Sequence, residues 1–209
     1  ECDPAADGEA VCALAFVEGF GKKAFRRPLT ADETERFMAL FDKAIVDPDF
    51  GTFETGIELV LQAMLQSSAF LYRPEFGGVV PIRGDVVPLT HWELATKLSY
   101  MLWNTMPDEE LFRAAEASEL GTIEEVEAQA RRMLADGKAK DAIRNFHRQW
   151  LHLTHLDTIS KDETVYPAYD DTLRPLWREE IERFVEHVIL EDDGRLKTLL
   201  TAPYSFMDA

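Results

Sequence analysis

The run Phe25-Arg26-Arg27-Pro28-Leu29-Thr30-Ala31-Asp32-Glu33 closes one helix and opens the next. Upstream of it, Val11, Leu14, Ala15, Val17 and Phe25 recur at near-helical spacing from Glu9 onward, and Pro28 excludes helix from the residue before it. Downstream, Thr30-x-x-Glu33 reads as a capping box, in which the hydroxyl and the carboxylate take up amides left free at a helix start. The second helix then carries Phe37, Leu40, Phe41 and Ala44.

The same grammar recurs along the chain. Thr52 opens a strongly apolar third helix through Ile57, Val60, Leu61, Met64 and Leu65, expected to be the central core element and to be buried on more than one face. Thr90-x-x-Glu93 and Thr122-x-x-Glu125 are two further capping boxes. The first leads through Leu94, Ala95, Leu98 and Leu102, and the second through Val126, Ala130 and Met133 to Gly137. A helix from Lys138 to about Leu153 is expected to bury Ile143, Phe146 and Trp150, and a long one from near Asp171 runs towards Asp193-Gly194 with Pro175 in its first turn. Between 78 and 88, Val79-Val80-Pro81-Ile82 and Val86-Val87 flank Arg83-Gly84-Asp85, which reads as a short β-hairpin or extended insert. The pattern predicts an all-α fold, a multi-helix bundle of paired helices, with an N-terminal domain over 1–76 and a second over 77–209.

Composition narrows the function classes. The 209 residues are 46% hydrophobic, enough for a packed core, and 39 acidic against 22 basic residues give a net charge of -17. Such a chain repels phosphate backbones, so nucleic acid is not an expected partner. The acidic surface suits solubility, cation binding or a basic partner. No run approaches the roughly 20 apolar residues of a membrane span. The start, Glu1-Cys2-Asp3-Pro4, has neither a charged n-region nor an apolar h-region, so any export signal is removed or lies outside this stretch. Cys2 and Cys12 are the two cysteines, and a disulfide between them would pin the N-terminus by about 2–3 kcal/mol and imply an oxidising compartment.

No nucleophile motif, phosphate loop or metal-spacing motif stands out. His147, His152 and His155 cluster around Trp150 and are candidates for a metal or haem ligand, although only His152 and His155 have ligand-pair spacing; polar surface or cap positions are the alternative. Arg26, Arg27 and Arg73 each sit beside an aromatic residue and close to a proline where a helix stops. They read as clamps on helix-end carbonyls and carboxylates, or as an anion or haem-propionate clamp lining a cofactor edge with Trp103 and Trp150. Trp92, Trp103, Trp150 and Trp177 follow the apolar faces and are expected in the core. Acidic groups such as Asp108 fall at helix ends and read as caps, and a hydrolase built on them lacks a motif. No catalytic residue is assigned.

Several motifs in order resemble a known family: Phe20-Gly21-Lys22-Lys23-Ala24-Phe25-Arg26-Arg27-Pro28-Leu29, Leu65-Gln66-Ser67-Ser68-Ala69-Phe70-Leu71-Tyr72-Arg73, Leu98-Ser99-Tyr100-Met101-Leu102-Trp103, Phe146-His147-Arg148-Gln149-Trp150-Leu151 and Tyr204-Ser205-Phe206-Met207. The family is an exported planctomycete and myxobacterial one of unknown function, in which domain of unknown function fifteen-ninety-five precedes fifteen-ninety-two, commonly joined to a cytochrome-c-like segment. The resemblance implies a periplasmic or extracellular helical accessory or interaction module, with neighbouring domains of the same polypeptide, and a redox protein, as partners. It also implies that the second domain continues beyond residue 209. The chain lacks Cys-x-x-Cys-His, so no haem is expected to attach covalently here, and a c-type haem would belong to an adjoining domain. The alternative is that the chain supplies part of an extracellular haem-dependent oxidoreductase site.

Overall fold

The threonine-led boxes form as their spacing requires. In the computed structural model, Thr30 Oγ1 accepts the Glu33 amide at 3.2 Å while Glu33 Oε2 accepts the Thr30 amide at 2.8 Å. The Thr90/Glu93 and Thr122/Glu125 pairs repeat this reciprocal arrangement. Thr52 and Asp108 cap the helices that follow them, through the amides of Thr55 and Leu111. Each cap satisfies amides that have no partner within the helix.

The structure describes residues 2–48, 51–78, 84, 86–162 and 164–206. The elements in order are α1 (Pro4–Asp7), α2 (Glu9–Phe25), α3 (Ala31–Ile45), α4 (Phe53–Gln66), α5 (Ser68–Leu71), α6 (His91–Trp103), α7 (Glu109–Glu116), α8 (Ile123–Leu134) and α9 (Gly137–Trp150). A 3-10 turn (Leu153–Thr158), α10 (Leu173–Glu186), a π-helical turn (His187–Glu191) and α11 (Leu196–Thr201) follow. The fold is all-α, and no strand occurs among the described residues. Most of the expected hairpin, 79–83 and 85, lies outside them. At its margins the Gly78 amide donates to the Pro88 carbonyl at 2.7 Å, and Gly77 takes the positive φ of 73° that favours glycine.

The packing groups Glu1–Tyr100 with Thr105–Gln129 as one compact unit, and Met101–Asn104 with Ala130–Ala209 as a second. The division read from sequence at 76/77 falls inside the first. In that unit α2, α3 and α4 pack against one another around Ala13, Val17, Phe25, Phe41, Val60 and Met64, with α5 resting on α2 and α4. The α4 helix buries one face, Gly56, Val60 and Met64 at four-residue intervals, while Leu59 and Leu65 remain 38% and 37% exposed. The expectation of burial on more than one face is therefore corrected. Two neighbouring helices cover a single stripe, and the remaining leucines meet solvent.

In the second unit α9 packs on α10 and the 3-10 turn. Arg144 and Lys140 bind Glu186, and Arg148 binds Glu182, each with a closest approach of 2.6 Å. The bonds from Lys140 and Arg144 outweigh desolvation and hold the Glu186 carboxyl below its usual range. The buried face of α9 runs through Ala139 and His147, whereas Phe146 is 61% and Trp150 44% exposed. Ile143 lies half-buried on this face, whereas the expectation that Phe146 and Trp150 share it is corrected. The cationic row at Lys140, Arg144 and Arg148 pairs with the glutamates of α10, and with the helix in that orientation Phe146 and Trp150 meet solvent. At the other end, Tyr204 and Phe206 pack their rings against His187, and Tyr204 also meets Phe184.

Candidate functional site

Arg26 closes α2 in the left-handed conformation, φ 58° and ψ 24°, the position that helix ends usually give to glycine. The residue is 4% exposed, and its guanidinium donates to four carbonyls: Nη1 to Ala24 at 3.0 Å and Phe70 at 3.3 Å, Nη2 to Ala69 at 2.6 Å and Tyr72 at 2.8 Å. Three of these carbonyls belong to the end of α5, a single turn whose last oxygens have no helical partner. A buried cation here is stabilised by charge-assisted bonds to neutral oxygens.

Arg27 turns to a different partner. It forms a bidentate pair with Glu33, both bonds at 2.8 Å, and donates to the Pro28 carbonyl. The arginine bonds, with the Thr30 amide and hydroxyl, outweigh desolvation and lower the Glu33 carboxyl to about 2. One carboxylate thus closes the capping box and locks the loop between α2 and α3.

Arg73 is exposed and stacks 4.1 Å from the centre of the Tyr100 ring, with Arg26 on the same ring at 6.0 Å. Of the three arginines, Arg26 and Arg73 are brought together and Arg27 is not. The segment that begins at Arg26's carbonyls is fastened again further on: the amides of Phe76 and Gly77 donate to Glu93 Oε1 at 2.8 and 3.1 Å, and Lys97 pairs with Glu75 at 2.7 Å. For Glu93, burial alone would raise the carboxyl, but bonds from the Thr90 and Gly77 amides, the Thr90 hydroxyl and the Phe76 amide prevail and lower it. Between these anchors the apolar side chains face solvent, with Leu71 at 60%, Tyr72 at 69% and Phe76 at 83% exposure.

In the second unit Trp103 is buried and donates its indole N–H to the Met133 carbonyl at 2.7 Å, with Lys138 and Arg132 over the ring at 4.5 and 5.5 Å. His147 is buried with Nδ1 2.8 Å from the Ile143 carbonyl, its ring edge-on to Phe146 and Trp150. A carbonyl only accepts, so Nδ1 carries the proton. His152 takes a left-handed φ of 55° ahead of the 3-10 turn, and both it and His155 are exposed. The three imidazoles do not converge on one ion. Among the described residues, a single group of three His, Cys, Asp or Glu side chains has donor atoms all within 4.8 Å of one another, namely Cys2, Asp7 and Cys12. Cys2 and Cys12 form a disulfide, as their spacing predicts.

Three participants escaped the sequence reading. Tyr100 carries no signal beyond its place in an aromatic string, and Glu33 was legible as a cap but not as the partner of Arg27. Asp7 reaches the cysteines because α1 turns the chain back before α2.

The architecture defines a helical protein whose conspicuous side chains join helix ends. The chain belongs to the family described as protein of unknown function DUF1592, which matches residues 89–209, and residues 12–75 match the family described as protein of unknown function DUF1595. The two stand in the order expected from the motifs. No curated protein and no solved structure matches the chain.

Proposed function

We propose that this chain is a non-catalytic helical docking module of an exported, cytochrome-associated multidomain protein, and that its docking surface is the segment from Leu71 to Phe76. One observation carries this reading. Arg26, Arg27 and Trp103 spend their side-chain donors on groups within the chain, while Leu71, Tyr72 and Phe76 stand exposed on a segment fastened at both ends. An apolar segment held open in this way loses little conformational entropy on meeting a partner. The Arg73 guanidinium beside it supplies an electrostatic contact for an acidic edge. The disulfide supports residence in an oxidising compartment. The cytochrome association rests on the motif resemblance.

A photo-crosslinking residue at Phe76 in the full natural polypeptide tests the proposal. Crosslinks to a segment outside residues 1–209, reduced at least tenfold by Leu71→Asp with Tyr72→Asp, are expected. Exclusive reaction with water would sink it.

A second reading is favoured by His147. Its Nδ1–H donates to the Ile143 carbonyl, so in a neutral ring the lone pair would sit on Nε2, the atom through which such an imidazole ligates a metal. On that reading the chain contributes part of a haem site. Haem titrated into the isolated chain separates the two: an unshifted Soret band fits the docking module, whereas saturable binding lost in His147→Ala supports the haem part-site.

A further inference from the structure

The N-terminal arm holds a constellation that neither the docking reading nor the haem reading uses. Cys12 is 5% exposed on the buried side of α2, Cys2 is exposed, and an Asp7 carboxylate oxygen lies with both sulfurs inside a 4.8 Å cluster. Asp7 is positioned by the turn itself, because the Asp3 amide donates to Asp7 Oδ2 at 3.0 Å and Pro4 starts the helical turn between them. All three donors line one cleft of about 650 Å³, whose other walls include Phe16, Phe53 and Ile57.

We infer that Cys2, Asp7 and Cys12, once the disulfide is reduced, form a three-donor site for a thiophilic divalent cation such as Zn2+, with a fourth coordination position opening on the cleft. Tetrahedral zinc places its sulfur and oxygen ligands roughly 3.5–3.8 Å apart, given metal–sulfur bonds of about 2.3 Å and metal–oxygen bonds of about 2.1 Å. The three donor atoms already lie within 4.8 Å of one another, and the bonded sulfurs must separate to reach that spacing. The cysteine Cα atoms are 5.5 Å apart, so side-chain rotation can open the sulfur pair to that spacing. Two thiolates and one carboxylate suit zinc better than calcium or magnesium, which take oxygen donors alone. Disulfide and metal are then alternative uses of the same sulfurs. A dithiol reductant supplies the two electrons and two protons by thiol–disulfide exchange, becoming a disulfide itself as the Cys2–Cys12 bond breaks to give two thiols. The cation displaces both thiol protons to solvent as it binds. The exposed Cys2 sulfur is the one a reductant reaches, with Cys12 as the leaving thiolate.

The whole chain, reduced by a water-soluble phosphine and freed of it under nitrogen, is titrated with Co2+ as a spectroscopic probe and then with Zn2+. One cobalt per chain with thiolate-to-cobalt charge-transfer bands in the near ultraviolet, displaced by zinc, is expected. Cys2→Ser should abolish tight binding and Asp7→Asn should weaken it at least tenfold. The absence of charge-transfer bands, or unchanged affinity in Asp7→Asn, overturns the assignment. Cys2 and Asp7 both lie on the exposed arm, so these variants decide the matter even if Cys12→Ser fails to fold, and far-UV dichroism checks helicity in each. Redox titration gives an independent readout. Zinc at a hundredfold excess over its dissociation constant should raise the disulfide midpoint by about 60 mV, and an unmoved midpoint also overturns the proposal.

Discussion

Nη2 of Arg26 stands 2.6 Å from the carbonyl oxygen of Ala69, across 43 positions of sequence. That bond and its three companions tie the end of α2 to the end of α5. They also fix where the exposed segment from Leu71 begins.

Replacing Arg26 by Met keeps much of the aliphatic volume and leaves the carbonyls of Ala24, Ala69, Phe70 and Tyr72 without this donor. Buried acceptors left unpaired cost about 1–3 kcal/mol each where water cannot reach them. Part of the site borders solvent, so a total loss of about 3–4 kcal/mol is expected in urea unfolding. Arg26→Gly relieves the left-handed backbone but loses the same bonds, and should remain at least about 2 kcal/mol below the parent chain. Parent-like stability in both variants would count against the clamp.

Acid should weaken the Arg27–Glu33 lock. Glu33 in the folded chain is lowered to about 2 from an ordinary 4.5, so the unfolded chain binds the proton more tightly. The stabilisation is therefore complete above about pH 5 and is lost as pH falls from 4.5 towards 2. Arg27 is 36% exposed, and solvent screening reduces the effect to about 1–2 kcal/mol. Glu33→Gln retains a capping amide and should flatten this limb of the pH–stability curve; an unchanged slope would show that the pair contributes nothing.

A methyl group added at Gly56 of α4 meets the Phe41 ring of α3 at 2.6 Å. Phe41 is fully buried and has little room to turn. Gly56→Ala should cost about 1–3 kcal/mol by overpacking, despite alanine's better helix propensity. Gly19, on the same α2 that helps form this core, meets nothing within 4 Å, and Gly19→Ala should be neutral or stabilising. Thermal unfolding of the two variants compares them directly, and equal shifts would contradict the packing argument.

Trp103→Phe keeps the aromatic packing and removes the N–H that satisfies the Met133 carbonyl. A loss of about 1–2 kcal/mol is expected, confined to the transition reported by second-unit residues. Hydrogen exchange resolved by segment should show faster opening over 130–150 with little change over 12–66. Uniform acceleration would argue against a local role.

Much of the helical fold was legible in side-chain chemistry that acts locally. A threonine and a glutamate three residues apart satisfy a helix start wherever they occur, so the starts at Ala31 and His91 follow from nearest neighbours alone. The faces of α4 and α9 were not legible in the same way. Leu59 and Phe146 are as apolar as residues that end up buried, and the difference lies in which neighbour arrives to cover them. The ends of α10 blurred for a related reason: a π-helical turn at His187–Glu191 prolongs the apolar period beyond the α-helix proper. The arginine positions were recognisable as helix-end clamps, but their acceptors were not, since the carbonyls that Arg26 binds look like any others in the sequence.

By itself the amino-acid order determined most helix starts and the family, because each depends on contacts within a few residues or on an ordered set of motifs. Tertiary structure alone decided that Arg26 meets Ala69, that Tyr100 lies against Arg73 and that Asp7 faces two sulfurs. Those relationships arise when distant backbone groups are left unsatisfied and packing brings a donor within reach, a condition that no local pattern encodes.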